Sequence, residues 1–573
     1  MFLYRRRIDE NPSAEAGAAQ REAMMEPDPS PALVELLEQL AQTPLADRIE
    51  LAALSGRSTA TVYRGIERLS ERGLVEALPH ATELMPRTNR FLLTAAGLAR
   101  LAGAQDISTT ELLPARPVSE QWRRSLLRRL DGVASIYRLV SGLAEFSYPL
   151  RLRWYRAAPP DAGVALADGR ALAVLRIGRT VERSAAAQRM RRLGQGPGYS
   201  AALVLAPDDT RLRQLRRLAR GLPFGCFLAL ERHALAASTD DAVWVARAGG
   251  PALSLEGALG YVRGPGEWGI ERTLARRSMP RPASAMDDRD ALLSSLLGAA
   301  EKRTLDLIGD WPWLAPHELE GLMGVGRRRV SQLTGSLRER ELIAEARVEG
   351  RRRLVPTDRT LALLARRDRA SPHLARRRWS AGPLDPERAP HWRDVPGRRS
   401  RQLLRHIGHT AAVHGFLAGL AAQARQRGWE LQQLDPPQRA SRYFRAEGVL
   451  RSIHPDAFVM LRAAGERRPA FLEWERRAIR PQTMRSRLAP YLRYFAIRRP
   501  TDDHGVRPQL WVVFDDPLAA DRFLTVARAE LARTRVDLPL VVSDRERIAE
   551  LGPLGAAWRG TDGWDWREPL APG

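Results

Sequence analysis

The stretch LAALSGRSTATVYRGIERLSERGLVEA at residues 51–77 returns without a gap at residues 319–345, as LEGLMGVGRRRVSQLTGSLRERELIAE. The shared positions are mostly apolar residues and turn residues, and they include Gly56 and Gly324. Each copy predicts a short helix, a tight turn at the glycine and a longer helix with apolar residues at helical spacing. A predicted hairpin follows each helix pair, so the pattern indicates two winged helix-turn-helix units.

A second pair of similar segments follows the two units. Residues 125–144 align with residues 402–421, and Pro-Asp-Ala at 160–162 aligns with Pro-Asp-Ala at 455–457. Both segments predict an amphipathic helix, and buried strands alternate with helices after it. The predicted order in each half is helix, three strands, helix, strand, helix, strand, which is typical of a mixed α/β domain.

The chain therefore has the pattern of a tandem duplication of a winged helix and an α/β domain, and we predict a mixed α/β (α+β) fold class. The offset between the halves grows along the chain, which predicts loop insertions in the second half. The predicted segments are a flexible arm at 1–30, a winged helix at 31–105, an α/β domain at 118–250, a linker at 276–289, a winged helix at 290–369, a basic linker at 370–399, an α/β domain at 400–551 and a loose tail at 552–573.

Positive charge dominates the composition. The chain has 573 residues, 91 Lys and Arg against 67 Asp and Glu, and a formal net charge of +24. Lys302 is the only lysine, so the excess is carried by arginine. Arginine side chains match the geometry of phosphates and guanine edges, which favours a double-stranded DNA partner. The alternative is an arginine-rich solvated surface that arises from codon usage.

Several protein classes are excluded or disfavoured. Cys226 is the only cysteine, which excludes an internal disulfide framework and a multi-cysteine zinc site and fits a reducing cytoplasm. No run of apolar residues is long enough for a membrane span, so we expect no membrane partner. At the N-terminus the arginines follow the apolar residues, which is the reverse of a signal peptide.

Acidic residues stand at two neighbouring strands of the second α/β domain. Asp456 precedes one predicted strand, and Glu473 and Glu475 flank Trp474 in the next. Residues two apart on a strand share a face, so three carboxylates are predicted to converge at one end of the sheet. Such a cluster suits Mg²⁺ or Mn²⁺, which could activate water for phosphodiester hydrolysis. The alternative is that Asp456 caps a turn and the glutamates pair with arginines.

Pro-Asp followed by Glu-x-Glu on the next strand resembles the motif of restriction-endonuclease-like nucleases. The text HPDAFVML…FLEWERRA…MRSRLAPYLRYF is similar to the replication-relaxation family of plasmids and integrative elements. The resemblance covers residues 403–542 and, more weakly, 319–365. It implies a winged helix joined to a nuclease-like domain, with a role in replication, DNA relaxation or mobilisation, and other proteins of the same element as partners.

The resemblance also implies roles for single residues. Asp456 and Glu473 correspond to catalytic metal ligands, and Glu475 stands where most such nucleases have lysine. Arg487 corresponds to a basic position on the following helix. Tyr491 or Tyr494 would be a nucleophile in a relaxase-like transfer, and the alternative is that both pack against the core. The nearby histidines are expected to be partnered in the structure: His409, His414 and His454.

The first half serves as an internal control. Asp161 is present there, but the sequence alignment places Arg176 opposite Glu473 and Gly178 opposite Glu475. The first α/β domain is therefore predicted to be degenerate. A chain with one working site would cut one strand, so the alignment favours a nickase.

The winged helices supply the predicted DNA contacts, because polar residues early in a recognition helix reach base edges and arginines bind phosphates. A winged helix that contacts proteins is the alternative. The candidates are Ser58, Thr59, Thr61, Tyr63 and Arg64 in the first half, and Arg327, Arg328, Arg329, Ser331, Gln332, Arg351, Arg352, Arg353 and Arg487 in the second.

Three functions fit these patterns. The first is a DNA-binding protein of a mobile element that nicks one strand with a metal ion in the second nuclease-like domain. The second is a non-catalytic regulator or structural accessory protein with inactive nuclease-like domains. The third is an assembly subunit whose α/β domains bind a protein. The sequence leaves the oligomeric state open, a homodimer included.

Overall fold

A computed structural model describes residues 30–269, 278–286, 288–385, 388–476, 480–563 and 565–570. The predicted flexible arm and part of the 276–289 linker lie outside these residues. The chain divides into two compact units. The units are residues 1–176, 188–205 and 221–298 for the first, and residues 177–187, 206–220 and 299–573 for the second.

The first half begins with three helices, a hairpin and a further helix. These elements are α1 (Pro31–Gln42), α2 (Arg48–Ser55), α3 (Thr59–Glu71), β1 (Val75–His80), β2 (Thr88–Leu93) and α4 (Ala95–Ala104). This is the element order that the winged-helix prediction requires. Three helices lead on from it: α5 (Thr109–Ala115), α6 (Glu120–Leu127) and α7 (Leu130–Ala144).

A six-stranded sheet follows, in the spatial order β3-β4-β5-β6-β7-β8. The first three strands are antiparallel, and β5 and β6 are parallel. The elements are β3 (Arg151–Trp154), β4 (Ala162–Ala165), β5 (Ala171–Arg176), α8 (Arg183–Gly194), β6 (Ala201–Ala206), α9 (Asp209–Ala219), β7 (Gly225–Leu230), α10 (Glu231–Ala236), β8 (Val245–Ala246) and α11 (Leu255–Gly260).

The second half repeats the helical start. After α12 (Leu293–Leu296) come α13 (Ala299–Asp310), α14 (Pro316–Met323), α15 (Arg327–Glu339), β9 (Ile343–Val348), β10 (Arg351–Pro356) and α16 (Asp358–Arg367). The predicted basic linker contains two helices rather than irregular chain, α17 (Pro372–Trp379) and the start of α18 (Arg398–Arg405). The long helix α19 (Ile407–Gln426) then leads into the second sheet.

The second sheet has seven strands in the order β11-β14-β15-β16-β17-β18-β19. Its elements are β11 (Glu430–Asp435), α20 (Pro437–Ala440), β12 (Arg442–Ala446), β13 (Val449–Ile453), β14 (Ala457–Ala463), β15 (Glu466–Glu475), α21 (Pro481–Phe495), α22 (Arg499–His504), β16 (Gln509–Phe514), α23 (Pro517–Thr534), β17 (Leu540–Asp544), α24 (Arg545–Leu551), β18 (Trp558–Gly560) and β19 (Trp566–Arg567). The hairpin β12–β13 forms a separate two-stranded sheet and has no counterpart among the described residues of the first half. The mixed α/β fold class is confirmed.

The tail is ordered in part, which differs from the prediction of a loose segment. The strand β18 pairs with β17 on one side and with β19 on the other, and Trp558 is fully buried in the core. The indole N–H of Trp558 donates to the carbonyl of Pro553 at 2.9 Å. Burial of so large a side chain explains why this segment is held in place.

The same buried ion pair stabilises the helical start of each half. Arg90 of β2 pairs with Glu50 of α2 at 2.7 Å, and Arg353 of β10 pairs with Glu318 of α14 at 3.0 Å. Each glutamate also accepts the backbone N–H of its own helix N-cap. Each arginine also donates to the carbonyl of a residue with positive φ, Arg90 to Leu45 and Arg353 to Trp313. The hairpin is therefore fastened to the second helix in the same way in both halves.

The apolar cores follow the predicted patterns. Val62, Ile66 and Leu69 of α3 are fully buried in the first core. The two faces of the second sheet are covered by separate clusters, one with Phe416 of α19 and one with Phe495 of α21. None of the helices in the described part of the chain has the length and hydropathy that a membrane span requires.

Candidate functional site

Asp456 lies at the end of the second sheet where β14 begins. Its backbone N–H donates to the carbonyl of Leu472 at 2.9 Å, and its Oδ2 accepts the N–H of Trp474 at 2.8 Å. The Nε2 of His409 on α19 lies 3.2 Å from the same oxygen and 3.1 Å from the carbonyl oxygen of Trp474. Both are acceptors, so Nε2 carries a proton and holds the carboxylate against the adjoining strand.

The two glutamates of β15 share a face, as predicted. Glu473 accepts a hydrogen bond from the hydroxyl of Tyr491, and Glu475 pairs with Arg487. Arg487 and Tyr491 are four residues apart on α21, so both glutamates face this helix. Trp474 points to the opposite side, where its indole N–H donates to Asp515 at 2.9 Å.

The pKa of the Glu473 carboxyl group is shifted by its surroundings. Burial and the neighbouring Asp456 carboxylate raise the pKa of Glu473 to about 8. Burial by itself would lower the pKa of His409, but the hydrogen bond and charge of Asp456 outweigh it and raise that pKa above its ordinary value. Glu473 thus holds a proton at neutral pH, where an ordinary glutamate is ionised.

The predicted trio of metal ligands is reduced to a pair. No group of three or more His, Cys, Asp or Glu side chains that could hold a metal ion exists among the described residues. Glu475 differs from the prediction because the guanidinium of Arg487 already neutralises it. Asp456 and Glu473 still fit Mg²⁺ or Mn²⁺, since these ions are commonly held by one or two carboxylates together with water and substrate phosphates.

The tyrosines and the other histidines have structural partners. Tyr491 and Tyr494 are 5% and 0% exposed, and Tyr494 donates to Asp503 at 3.2 Å. Burial raises the pKa of both hydroxyls well above the usual value, so the geometry favours the packing role over the nucleophile. Burial and Arg353 lower the pKa of His414 to about 3, so it is a neutral core residue. His454 is exposed and hydrogen-bonds Ser441 and Ser452.

The first sheet lacks acidic counterparts of Glu473 and Glu475, as predicted, but the sequence alignment that gave this prediction was wrong by one residue. Ala162 pairs with Val174 in the first sheet, and Ala457 pairs with Leu472 in the second. Glu473 and Glu475 therefore correspond to Leu175 and Ile177, not to Arg176 and Gly178. A shift of one residue exchanges the two faces of a strand. Both counterparts are apolar and fully buried.

A different group occupies the corresponding place in the first sheet. Asp161 accepts the backbone N–H of Arg176 at 2.7 Å, as Asp456 accepts that of Trp474. Arg189 of α8 donates to the same oxygen of Asp161 at 3.1 Å. The Arg176 side chain bonds Glu231 at 2.6 Å. Asp161 is therefore neutralised by an arginine of the chain itself.

The recognition-helix candidates are presented to solvent in both halves. Ser58 is the N-cap of α3 and accepts the N–H of Thr61 at 3.3 Å. The exposed ring of Tyr63 lies 4.7 Å from the guanidinium of Arg48. Thr59 and Arg64 are exposed, and Thr61 is half-buried. Exposed residues also make up the outer side of the first turns of α15: Arg327, Arg328, Arg329, Ser331 and Gln332.

Only part of the predicted wing is available to DNA. Arg351 and Arg352 are exposed, and Arg352 bonds Glu345 at 2.5 Å across the hairpin. Arg353 points to the other face of β10, is 3% exposed and is bound to Glu318. The prediction that Arg353 contacts DNA was wrong, because alternation along the strand places it in the core.

The sequence reasoning missed three arginines close to the site. A cleft of about 1370 Å³ opens above Asp456 and Trp474, and its lining includes Arg377 of α17 and Arg398 and Arg399 of α18. We had assigned these residues to a basic linker. The signal that could have found them is the dense arginine content of residues 376–401, which lead into the second α/β domain.

Comparison with known proteins gives one match. Residues 325–510 match the family model described as replication-relaxation. No curated protein and no solved structure matches the chain. The matched stretch includes α15, Asp456 and Glu473, and the sequence around Asp456 and Glu473 carries the resemblance. Residues 325–510 thus form a replication-relaxation domain, and the family predicted from the sequence is confirmed for this part of the chain.

Proposed function

We propose that the chain is a DNA-binding protein that acts in the replication, relaxation or mobilisation of a plasmid or integrated element. It works in the cytoplasm on double-stranded DNA, with proteins of the same element as further partners. The observation that carries the proposal is the exposed first turns of α15, with Arg327, Arg328 and Arg329 on one surface. Val330 and Leu333 on the other side of α15 are buried, so the arginines face solvent.

The fold and charge support this reading. In each half a short helix, a tight turn at a glycine with positive φ and a longer helix precede a hairpin, which is the order of a winged helix. The net charge of +24 supplies the long-range attraction that a polyanion requires. The family description, replication-relaxation, agrees with a DNA substrate.

The test is duplex binding as a function of salt. Affinity for a labelled duplex should fall steeply between about 50 and 200 mM salt, because each neutralised phosphate releases counterions. A flat salt dependence, or no binding at low salt, would contradict the proposal.

Nicking of one strand is the second candidate function, and the pairing of Asp456 with Glu473 favours it. These two residues would hold Mg²⁺ or Mn²⁺, which would supply a polarised phosphodiester and an activated water. Arg476 and Arg487 line the cleft beside them and would bind the phosphate. His409 would orient Asp456 through the hydrogen bond already present.

Plasmid relaxation tests this activity. Supercoiled plasmid incubated with the protein and Mg²⁺ or Mn²⁺ should yield open circles. Asp456→Asn should abolish the product, whereas Asp161→Asn, at the corresponding place of the first sheet, should leave it unchanged. Open circles that persist with Asp456→Asn would exclude this site, and their absence with the unaltered protein would leave the non-catalytic DNA-binding function.

A further inference from the structure

The cleft above Asp456 is bounded by four elements of the second unit. Its walls are the end of α17, the first turn of α18, the start of α19 and the outer face of the hairpin β12–β13, and Trp474 lies at its base. Nothing in the sequence patterns assigned a ligand to it. Its volume of about 1370 Å³ exceeds that of an ordinary small-molecule pocket.

Arginine dominates the charge of the cleft. Seven arginines line it against three carboxylates. The carboxylates are already engaged, since Asp310 binds Arg439, Asp456 binds His409 and Glu475 binds Arg487. The positive charge of the remaining arginines is therefore not balanced from within the cleft.

Four of these arginines have no carboxylate partner in the part of the chain that the structure describes: Arg377, Arg398, Arg399 and Arg401, of which Arg401 donates to the carbonyl of Val395 at 2.8 Å. Arg399 is half-buried with its guanidinium 5.5 Å from the ring of Trp379. Burial and the positive charges of Arg378 and Arg398 lower the pKa of Arg399. Positive charges that line a cleft attract anions and raise their local concentration, so these arginines favour a polyanionic ligand.

The hairpin β12–β13 adds an aromatic ring to the lining of the cleft. Tyr443 and Ser452 pair across this hairpin, so both stand on its outer face. The ring of Tyr443 is 43% exposed, meets the ring of His454 edge-on at 5.9 Å and lies 5.5 Å from the guanidinium of Arg183. Phe444 and Ile453, on the inner face, are buried and hold the hairpin in place.

Arginines and an exposed aromatic ring in the same cleft are the combination that binds single-stranded nucleic acid. Arginines follow the phosphates, and bases stack on exposed rings without regard to sequence. In a duplex the faces of the bases are stacked on one another, so they are not available to stack on the Tyr443 ring. We infer that this cleft seats a single strand of DNA, with phosphates on Arg377, Arg398 and Arg399 and a base on Tyr443, on a path that passes Asp456; the inference rests on the proposed function.

The test measures the affinity of the full chain for two labelled DNAs, a single strand of about 20 nucleotides and the duplex of the same sequence. The variant Arg398→Gln/Arg399→Gln should bind the single strand at least tenfold more weakly at low salt and reduce its salt slope by about 1.4. Its duplex affinity should stay within about twofold of the unaltered chain. The charge-matched control is Arg138→Gln/Arg462→Gln, at two exposed positions away from the cleft.

A second variant separates stacking from charge. Tyr443→Ala should weaken single-strand binding about 5- to 100-fold, and Tyr443→Phe should restore it, because the phenyl ring alone stacks a base. The exposed position of Tyr443 lets both variants fold, which a thermal melt of each verifies.

Each remaining outcome is decisive. Equal weakening by the cleft variant and the control, or a single-strand affinity that neither cleft variant changes, overturns the inference. So does an equal loss of duplex binding in the arginine variant, which would make the cleft a duplex surface. In these cases duplex binding with steep salt dependence leaves the proposed function intact, whereas failure of the unaltered chain to bind duplex overturns the proposed function itself.

Discussion

Asp161 and Asp456 occupy the same place in their two sheets, yet different side chains surround them. Each accepts the backbone N–H of the neighbouring strand, at 2.7 and 2.8 Å. Asp161 is then neutralised by Arg189, and the strand beside it contributes the apolar Leu175. Asp456 instead faces Glu473, whose carboxyl group is protonated at neutral pH because of burial and the nearby charge.

The difference separates structure from function. An aspartate at this position completes the strand pairing in both halves, so its presence alone says nothing about catalysis. The second half adds a second carboxyl group beside the aspartate. Two nearby carboxylates repel each other in a buried site unless a proton or a cation compensates the charge. We therefore interpret the extra carboxyl group and the cleft above Asp456, rather than the shared aspartate, as the features related to function.

The helical segments at the start of the two halves, in contrast to the sheets, share the same buried interaction. The buried pairs Glu50–Arg90 and Glu318–Arg353 have the same partners on the same elements. What both halves keep, although their sheets differ, we interpret as scaffold.

The largest expected effect tests that interpretation. Arg90→Met and Arg353→Met should each lower the free energy of unfolding by about 3–5 kcal/mol, because a buried carboxylate loses its counter-charge. Urea unfolding followed by circular dichroism measures it. Arg352→Met is the control, since the exposed pair of Arg352 with Glu345 should cost about 1 kcal/mol or less. A small effect at Arg353 would return that residue to the list of possible DNA contacts.

The salt dependence of duplex binding should be affected more by charge removal from α15 than by charge removal from α3. Arg327→Gln/Arg328→Gln/Arg329→Gln should weaken duplex binding about 10- to 100-fold at low salt and reduce the salt slope by up to about 2.7. Arg64→Gln in the first half should reduce the slope by about 0.9 at most. Fluorescence anisotropy at several salt concentrations gives both values. Equal slopes for the two variants would show that the halves bind DNA alike.

Much of the fold could be predicted because it depends on local patterns. The apolar spacing of Val62, Ile66 and Leu69 and the glycine turns predict the helices, and the buried runs predict the order of strands and helices along the chain. The hairpin β12–β13 and the strands of the tail were missed, because each is short and its place depends on partners far along the chain.

The site was harder to predict because strand register and side-chain direction decide it. Asp456 and Glu473 were found from their spacing, but an alignment error of one residue gave Glu473 the wrong counterpart. Arg353 and Arg352 are neighbours in sequence, yet one is buried and the other exposed. The pairing of Glu475 with Arg487 depends on how α21 packs, which no local pattern of residues 473–475 contains.

The pH dependence of stability should differ between the two sheets. The pKa of Glu473 is raised in the folded state, so its contribution is fully present below the unfolded value near 4.5 and is lost as pH rises through about 8. Between these values the free energy of unfolding should fall as the pH rises in the unaltered chain, because the folded state keeps a proton that the unfolded state releases. Glu473→Gln should remove this part of the fall in a urea titration at several pH values. An unchanged profile would mean that Glu473 is ionised when folded.

The smallest effect concerns the helix caps, where the halves also differ. Ser58 caps α3 with its side chain, whereas α15 begins at Gly326, which has extended backbone and offers no side-chain cap. Ser58→Ala should lower the free energy of unfolding by about 1 kcal/mol because it leaves an N–H of the first turn without its acceptor. Gly326→Ser should raise it by a few tenths of a kcal/mol, since a Cβ there meets open space and the hydroxyl can accept that N–H. Thermal unfolding of the two variants measures both changes. If Gly326→Ser stabilises the protein but weakens duplex binding, the bare N-terminus of α15 lies against a phosphate, and the missing cap is part of the DNA surface.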